Sequence, residues 1–172
     1  KANTSIIIAS KDGEASYGII YDPVYSSAKI ITRSMTGEML ERLYAGRVID
    51  RGGRSIRPSE LEANNVVYEV TDIWKNNGFI LAYENEVSGE VTAVLPNVIA
   101  PSSIEIDGAS YELDAAFPKH KINADGHIAR SQTVTLLLGE NGRAVDVLLG
   151  GTAENDGFAL VVDVYEEVSQ KN

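Results

Sequence analysis

No cysteine occurs in the 172 residues, which excludes disulfides, zinc-thiolate sites and thiol catalysis. No apolar run approaches the roughly 20 residues that a membrane helix needs, and no basic-then-apolar leader opens the chain, so membrane insertion is not expected. Positive charge is in short supply: 15 Lys and Arg face 25 Asp and Glu, for a net charge of −10. Such a chain repels phosphate backbones, and no cluster of Lys and Arg interleaved with aromatics offsets this, which counts against nucleic acid and anionic lipid as partners. The Gly-X-Ser-X-Gly elbow, the P-loop and the dinucleotide fingerprint are missing too. No residue set meets the geometric roles of a catalytic site, and the chain is read as non-enzymatic.

What is present is ordinary soluble-protein material, 44% hydrophobic and 23% charged, long enough for one domain or two small ones. It begins at Lys1 rather than Met, which reads as a processed or excised piece whose leader or anchor would lie elsewhere. The strongest local signal is VTLLLGENGRAVDVLL, Val134 to Leu149, where two apolar runs meet at Asn141-Gly142. A two-residue turn there pairs Glu140 with Arg143, Leu138 with Val145, Leu136 with Val147 and Val134 with Leu149. One face of that hairpin is wholly apolar. The other carries Thr135, Leu137, Asp146 and Leu148, so it is expected to lie under another part of the molecule.

Similar signals recur along the chain. Ser5 to Ser10 and Ser16 to Asp22 read as strands around Asp12-Gly13, Pro23 ends their pairing, and Ala28 to Thr32 resumes as strand. Arg51-Gly52-Gly53-Arg54 reads as a turn after Arg47 to Asp50, with a break at Pro58. Asn65 to Val94 contains a long hairpin turned by Asn77-Gly78, which sets Trp74 beside Leu81, and a bend at Ser88-Gly89. Ser103 to Leu113 alternates around Asp107-Gly108, with Ile104, Ile106, Ala109, Tyr111 and Leu113 on one face. Between Thr36 and Tyr44 the pattern is ambiguous. Met39, Leu40, Leu43 and Tyr44 have helical spacing and good helix formers around them, yet Thr36-Gly37 could equally turn a hairpin.

Asp114 to Arg130 is an irregular excursion holding both histidines. His120 and His127, with Asp125 between, lack the i, i+4 or i, i+2 spacing of a metal site, and a solvated loop is the better reading. Asn123-Ala124-Asp125-Gly126 resembles the middle of a calcium loop without its later oxygens; calcium at loop carboxylates is the weaker alternative to no cofactor at all. Trp74, Tyr83 and Tyr25 are the candidate ligand-stacking residues, against the plainer reading of packing aromatics.

Pro96 to Pro101 is the candidate boundary between a first module, residues 1–96, and a second, residues 97–172. A short hairpin followed by a long one occurs in both halves, and YGIIYD (Tyr17 to Asp22) returns as FALVVD (Phe158 to Asp163). Residues 157–168 are therefore read as a last strand that could pair back on the first module. The expected fold is all-β: two small antiparallel barrel-like or sandwich modules built from consecutive hairpins, with at most one short helix.

NVVYEV…NGFILAYENEVSGEVTAVLPN…PSSIEIDGASYEL…VTLLLGENGRAVDVLLGG resembles the β-rich repeat regions of Gram-positive-type bacterial surface proteins that carry S-layer homology anchor modules. Val67, Tyr68, Tyr83, Val87 to Gly89, Pro101, Asp107 to Tyr111 and Thr133 to Gly142 carry the likeness, from about Asn65 to Gly151. The anchor modules themselves have no counterpart here. The resemblance favours strand for Thr36 to Tyr44. It implies a non-catalytic structural or interaction segment of a surface-layer-associated protein, extracellular at the cell surface or cell wall. Its partners would be other surface-layer chains or cell-wall polysaccharide. Alternatives are a module binding cell-wall or extracellular polysaccharide, and an accessory domain of a cell-wall-active enzyme.

Overall fold

A computed structural model describes residues 4–11, 14–21, 23–44, 48–72, 78–122, 128 and 131–149. The chain is all-β with a single short α-helix among these residues. β1 (Thr4–Lys11) and β2 (Glu14–Tyr21) pair antiparallel as a separate two-stranded ribbon. Next come β3 (Val24–Tyr25), β4 (Lys29–Ile30), α1 (Gly37–Leu43), β5 (Val48–Asp50), β6 (Ser55–Ile56), β7 (Val66–Thr71) and β8 (Gly78–Tyr83). Their strands form a six-stranded sheet in the order β3-β7-β8-β5-β6, with β4 also on β7. β9 (Asn85–Leu95), β10 (Ser103–Ile106), β11 (Ala109–Glu112), β12 (Thr133–Leu138) and β13 (Ala144–Leu149) form a five-stranded sheet in the order β11-β10-β9-β12-β13.

Local propensity decides the ambiguous segment in favour of helix. Thr36 caps α1, its hydroxyl accepting from the Met39 N–H at 3.3 Å, and Glu38 in the first turn suits the positive end of the helix. Leu40 and Tyr44 then pack with Ile31, Val48, Leu61, Val67 and Ala82 on one face of the six-stranded sheet. The opposite face carries Ile49, Val66, Tyr68, Val70, Phe79 and Tyr83, and these bury Leu137 and Val145 of the other sheet. That contact is the cover expected over the Leu137 face of the last hairpin.

The five-stranded sheet has its own core on the far face: Val91, Ile104, Ile106, Val134, Leu136, Leu138, Ala144 and Val147. The excursion after β11 supplies Phe117, Ile122 and Ile128 to it. Each such large side chain withdrawn from water contributes about 1.5–3 kcal/mol before entropy. The excursion also shields the outer edge of β13. The Asp114 N–H donates to Ala144 O at 2.8 Å, and Lys121 Nζ reaches Asp146 Oδ1 at 2.6 Å and Val147 O at 3.3 Å.

Several sequence expectations change in detail. The hairpins do not simply follow one another: β5 pairs parallel with β8, and β12 pairs with β9, each across a long stretch of chain. Asn85–Leu95, placed by the sequence at the end of the first module, is the central strand of the second sheet. The stretch from Pro96 to Pro101 turns the chain back within that one sheet, with Asn97 Oδ1 accepting from the Ile99 and Ala100 N–H groups at 3.0 Å each.

Ser88-Gly89 does not bend the chain out of the strand, because β9 runs through it. Ser88 lies opposite Thr135, their hydroxyls 2.7 Å apart, which satisfies a threonine only 1% exposed. Leu81 faces Tyr68, as Thr71 faces Gly78, while Trp74 and Asn77 lie outside the described residues. The buried face of Val66, Tyr68 and Val70 sets that register.

In the last hairpin the outer pairs are as read, Val134 with Leu149 and Leu136 with Val147, but Leu138 faces Ala144. The shift turns Val145 onto the Leu137 side, and Glu140–Gly142 form a short 3-10 turn with Asn141 at φ 56°. By contrast the β10–β11 hairpin has the register read from sequence, with Asp107 and Gly108 both at positive φ. No helix among the described residues is long and apolar enough to cross a membrane.

Candidate functional site

The parallel pairing of β5 with β8 brings two remote stretches together. Asp50 lies opposite Ala82, so the turn after β5 runs beside Tyr83 and Glu84 at the end of β8. The result is an open groove of about 500 Å³, lined by Asp50, Arg51, Arg54, Glu60, Glu62, Asn65, Tyr83 and Glu84 among others.

Much of this wall is held by internal bonds. Both Asp50 oxygens are used: one accepts from the Arg54 backbone N–H at 2.8 Å, the other from Arg54 Nε at 2.9 Å. Glu60 Oε2 accepts from the Arg57 backbone N–H at 2.7 Å, and that bond, with the Arg57 guanidinium beside it, holds the carboxyl below its usual range. Asn65 Oδ1 accepts from the Glu62 N–H at 2.9 Å. The groove therefore has a preset rim of both charge signs.

Tyr83 also belongs to a tyrosine cluster. Tyr83 stacks edge-on against Tyr68 with centroids 5.7 Å apart, and Tyr68 meets Tyr25 in the same way at 6.4 Å. Burial pushes the Tyr68 and Tyr83 hydroxyls up to about 12. Tyr25 is raised as well, by burial first and then by the Glu140 carboxylate. The cluster joins the two sheets, because Tyr68 and Tyr83 belong to one and Glu140 to the other.

Of the three aromatics singled out from sequence, the structure brings two into this cluster. Tyr83 is 9% exposed and is among the residues lining the groove, and Tyr25 is half-buried beside Tyr68. Trp74 lies outside the described residues. His120 is exposed on a short 3-10 turn, while His127 and Asn123 to Gly126 also lie outside the described residues. Among the described residues no group of three or more His, Asp or Glu is placed to hold a metal ion. Sequence reasoning did not single out Asp50, Arg54, Glu60, Glu62 or Glu84. The one signal available was the i, i+4 spacing of Asp50 and Arg54 across the Gly52-Gly53 turn. Comparison with protein-family models, curated proteins and solved structures finds no match for this chain.

Proposed function

We propose that this chain is a non-catalytic structural or interaction segment of a bacterial surface-layer-associated protein, extracellular at the cell surface or cell wall. In this reading two small sandwich-like or barrel-like β modules form a rigid unit that spaces or assembles the array. The observation that carries it is the role of the hairpin on which the sequence resemblance centres. Leu137 and Val145 of that hairpin enter the cluster between the sheets, and its turn takes the Tyr68 hydroxyl. A spacer has to transmit load without hinging, and a buried apolar contact fixed by a hydrogen bond meets that need.

The test is cosedimentation of the purified chain with reassembling surface-layer protein and with isolated wall fragments. Binding to surface-layer chains that survives added polysaccharide is the expected result. Turnover of a glycan or peptide, abolished by one substitution, would replace the reading with an enzymatic one, and failure to bind either material would remove it.

A second reading, polysaccharide binding, is favoured by the groove. Its carboxylates, guanidinium groups and Asn65 are planar polar groups suited to sugar hydroxyls. Titration with wall polysaccharide, followed through the single tryptophan, tests it. A saturable change in Trp74 emission that Glu84→Gln weakens supports groove binding; a flat response rejects it.

A further inference from the structure

The groove beside Asp50 and Glu84 holds charges that the fold uses and charges that it does not. Asp50 is bound to Arg54, and Glu60 to Arg57. No ion pair or side-chain hydrogen bond joins the Arg51, Glu62 or Glu84 side chain to another described residue. Asn65, whose Oδ1 accepts from the Glu62 N–H, keeps its amide nitrogen to donate to an outside acceptor.

These side chains stand on backbone that is already fixed. Arg51 lies in a turn closed by the Gly53 N–H donating to Asp50 O and the Asp50 N–H donating to Arg54 O, both at 2.9 Å. Glu62 lies in a turn where the Asn65 N–H donates back to Glu62 O at 3.1 Å. Glu84 joins the end of β8 to the start of β9. The parallel pairing of β5 with β8 sets the Arg51 turn beside Glu84, so opposite charges from remote stretches line one space of about 500 Å³. Small-ligand sites are of this size, roughly 300–1,000 Å³. Groups positioned before binding lose little freedom when a ligand arrives.

We propose that the groove takes a saccharide carrying both a protonated amine and a carboxylate on the same or adjoining sugar residues, Glu62 and Glu84 taking the ammonium and Arg51 the carboxylate. This rests on the polysaccharide reading of the groove and names the class of sugar. A neutral glycan would strip water from three charges without supplying a counter-charge, which costs free energy. A purely anionic one meets two carboxylates for one guanidinium, on a chain of net charge −10. A purely cationic one sets like charge against Arg51. The zwitterion answers all of these groups, and the Arg51 guanidinium suits a carboxylate in two-point contact.

Calorimetric titration of the full chain tests it, at about pH 6 so that sugar amines are protonated and carboxylates ionised. Salt of about 0.15 M screens charges beyond about 8 Å. Three oligomers of equal length serve as probes: alternating glucuronate and free-amine glucosamine, its N-acetylated form, and glucosamine alone. The alternating free-amine oligomer should bind at least about tenfold more tightly than either of the others. Arg51→Gln should weaken it about tenfold while sparing the glucosamine oligomer. Glu62→Gln combined with Glu84→Gln should weaken both, and Glu105→Gln on β10 should change neither.

Equal binding of the three oligomers overturns the inference and leaves the polysaccharide reading standing, whereas binding of none overturns both. Tighter binding of the glucosamine or the N-acetylated oligomer also overturns the inference. So does a preference for the alternating free-amine oligomer that survives both sets of substitutions, since recognition would then lie outside the groove.

Discussion

The Tyr68 hydroxyl accepts a hydrogen bond from the Glu140 backbone N–H at 3.3 Å, tying a strand of the six-stranded sheet to the hairpin turn of the five-stranded one. The approach is so close that residue 139 has no room for a side chain. A Cβ on Gly139 would overlap the Tyr68 hydroxyl and come within 2.8 Å of Val145 Cγ2.

Gly139→Ala should therefore destabilise the chain by about 2 kcal/mol through overpacking, read as a lower urea midpoint with unchanged slope. Tyr68→Phe should cost about 1 kcal/mol by leaving the Glu140 N–H without its acceptor. The double variant should be more stable than the sum of the two losses implies, because removing the hydroxyl also relieves the overlap. Strict additivity would show that the hydroxyl is not what occupies the space beside Gly139.

Leu137 and Leu149 separate buried from peripheral packing within one hairpin. Leu137 is 1% exposed between the sheets and Leu149 is 40% exposed. Leu137→Ala should lower stability by roughly 2–5 kcal/mol, and Leu149→Ala by no more than about 0.5 kcal/mol. Equal losses in chemical denaturation would contradict the docking of the two sheets through this hairpin.

The tyrosine cluster sets an alkaline limit on stability. Tyr68 and Tyr83 hold their protons to about 12 when folded, against 10.0 for a free tyrosine. Because the folded value is the higher one, this contribution is complete below pH 10 and is lost as pH rises toward 12. Spectrophotometric titration of the eight tyrosines should show a late phase that coincides with loss of near-ultraviolet dichroism. A single phase near pH 10 with the fold intact would refute the burial of these hydroxyls.

Helix α1 depends on its first residue. Thr36→Ala should cost about 1 kcal/mol, while Thr36→Ser, which keeps the acceptor, should recover most of it. If the two variants unfold at the same urea concentration, the Thr36 cap contributes nothing to the fold.

Legibility from sequence followed the range of the interaction. The β10–β11 hairpin was readable because Asp107-Gly108 and its flanking alternation are adjacent in the chain. α1 was readable from helix formers at helical spacing, against the strand that the resemblance favoured. The face switch of Val145 was not, since a single bulge leaves the local alternation almost unchanged while redirecting one side chain. The partner of Leu81 was misread because the register of β8 follows the buried face of β7, where Tyr68 stands opposite it. The groove was the least visible feature. Tyr83 could be named as an aromatic, but its meeting with Asp50 depends on parallel pairing between remote strands, which no local pattern encodes.

The two ends of the five-stranded sheet meet. Leu113, the residue after β11, forms a parallel bridge with Ala144 of β13, the Asp114 N–H donates to Ala144 O at 2.8 Å, and Arg143 Nη2 lies 3.1 Å from Glu112 Oε2. Backbone that would otherwise stand open at both margins is partly used up where they touch, which leaves less of it for a foreign strand to join.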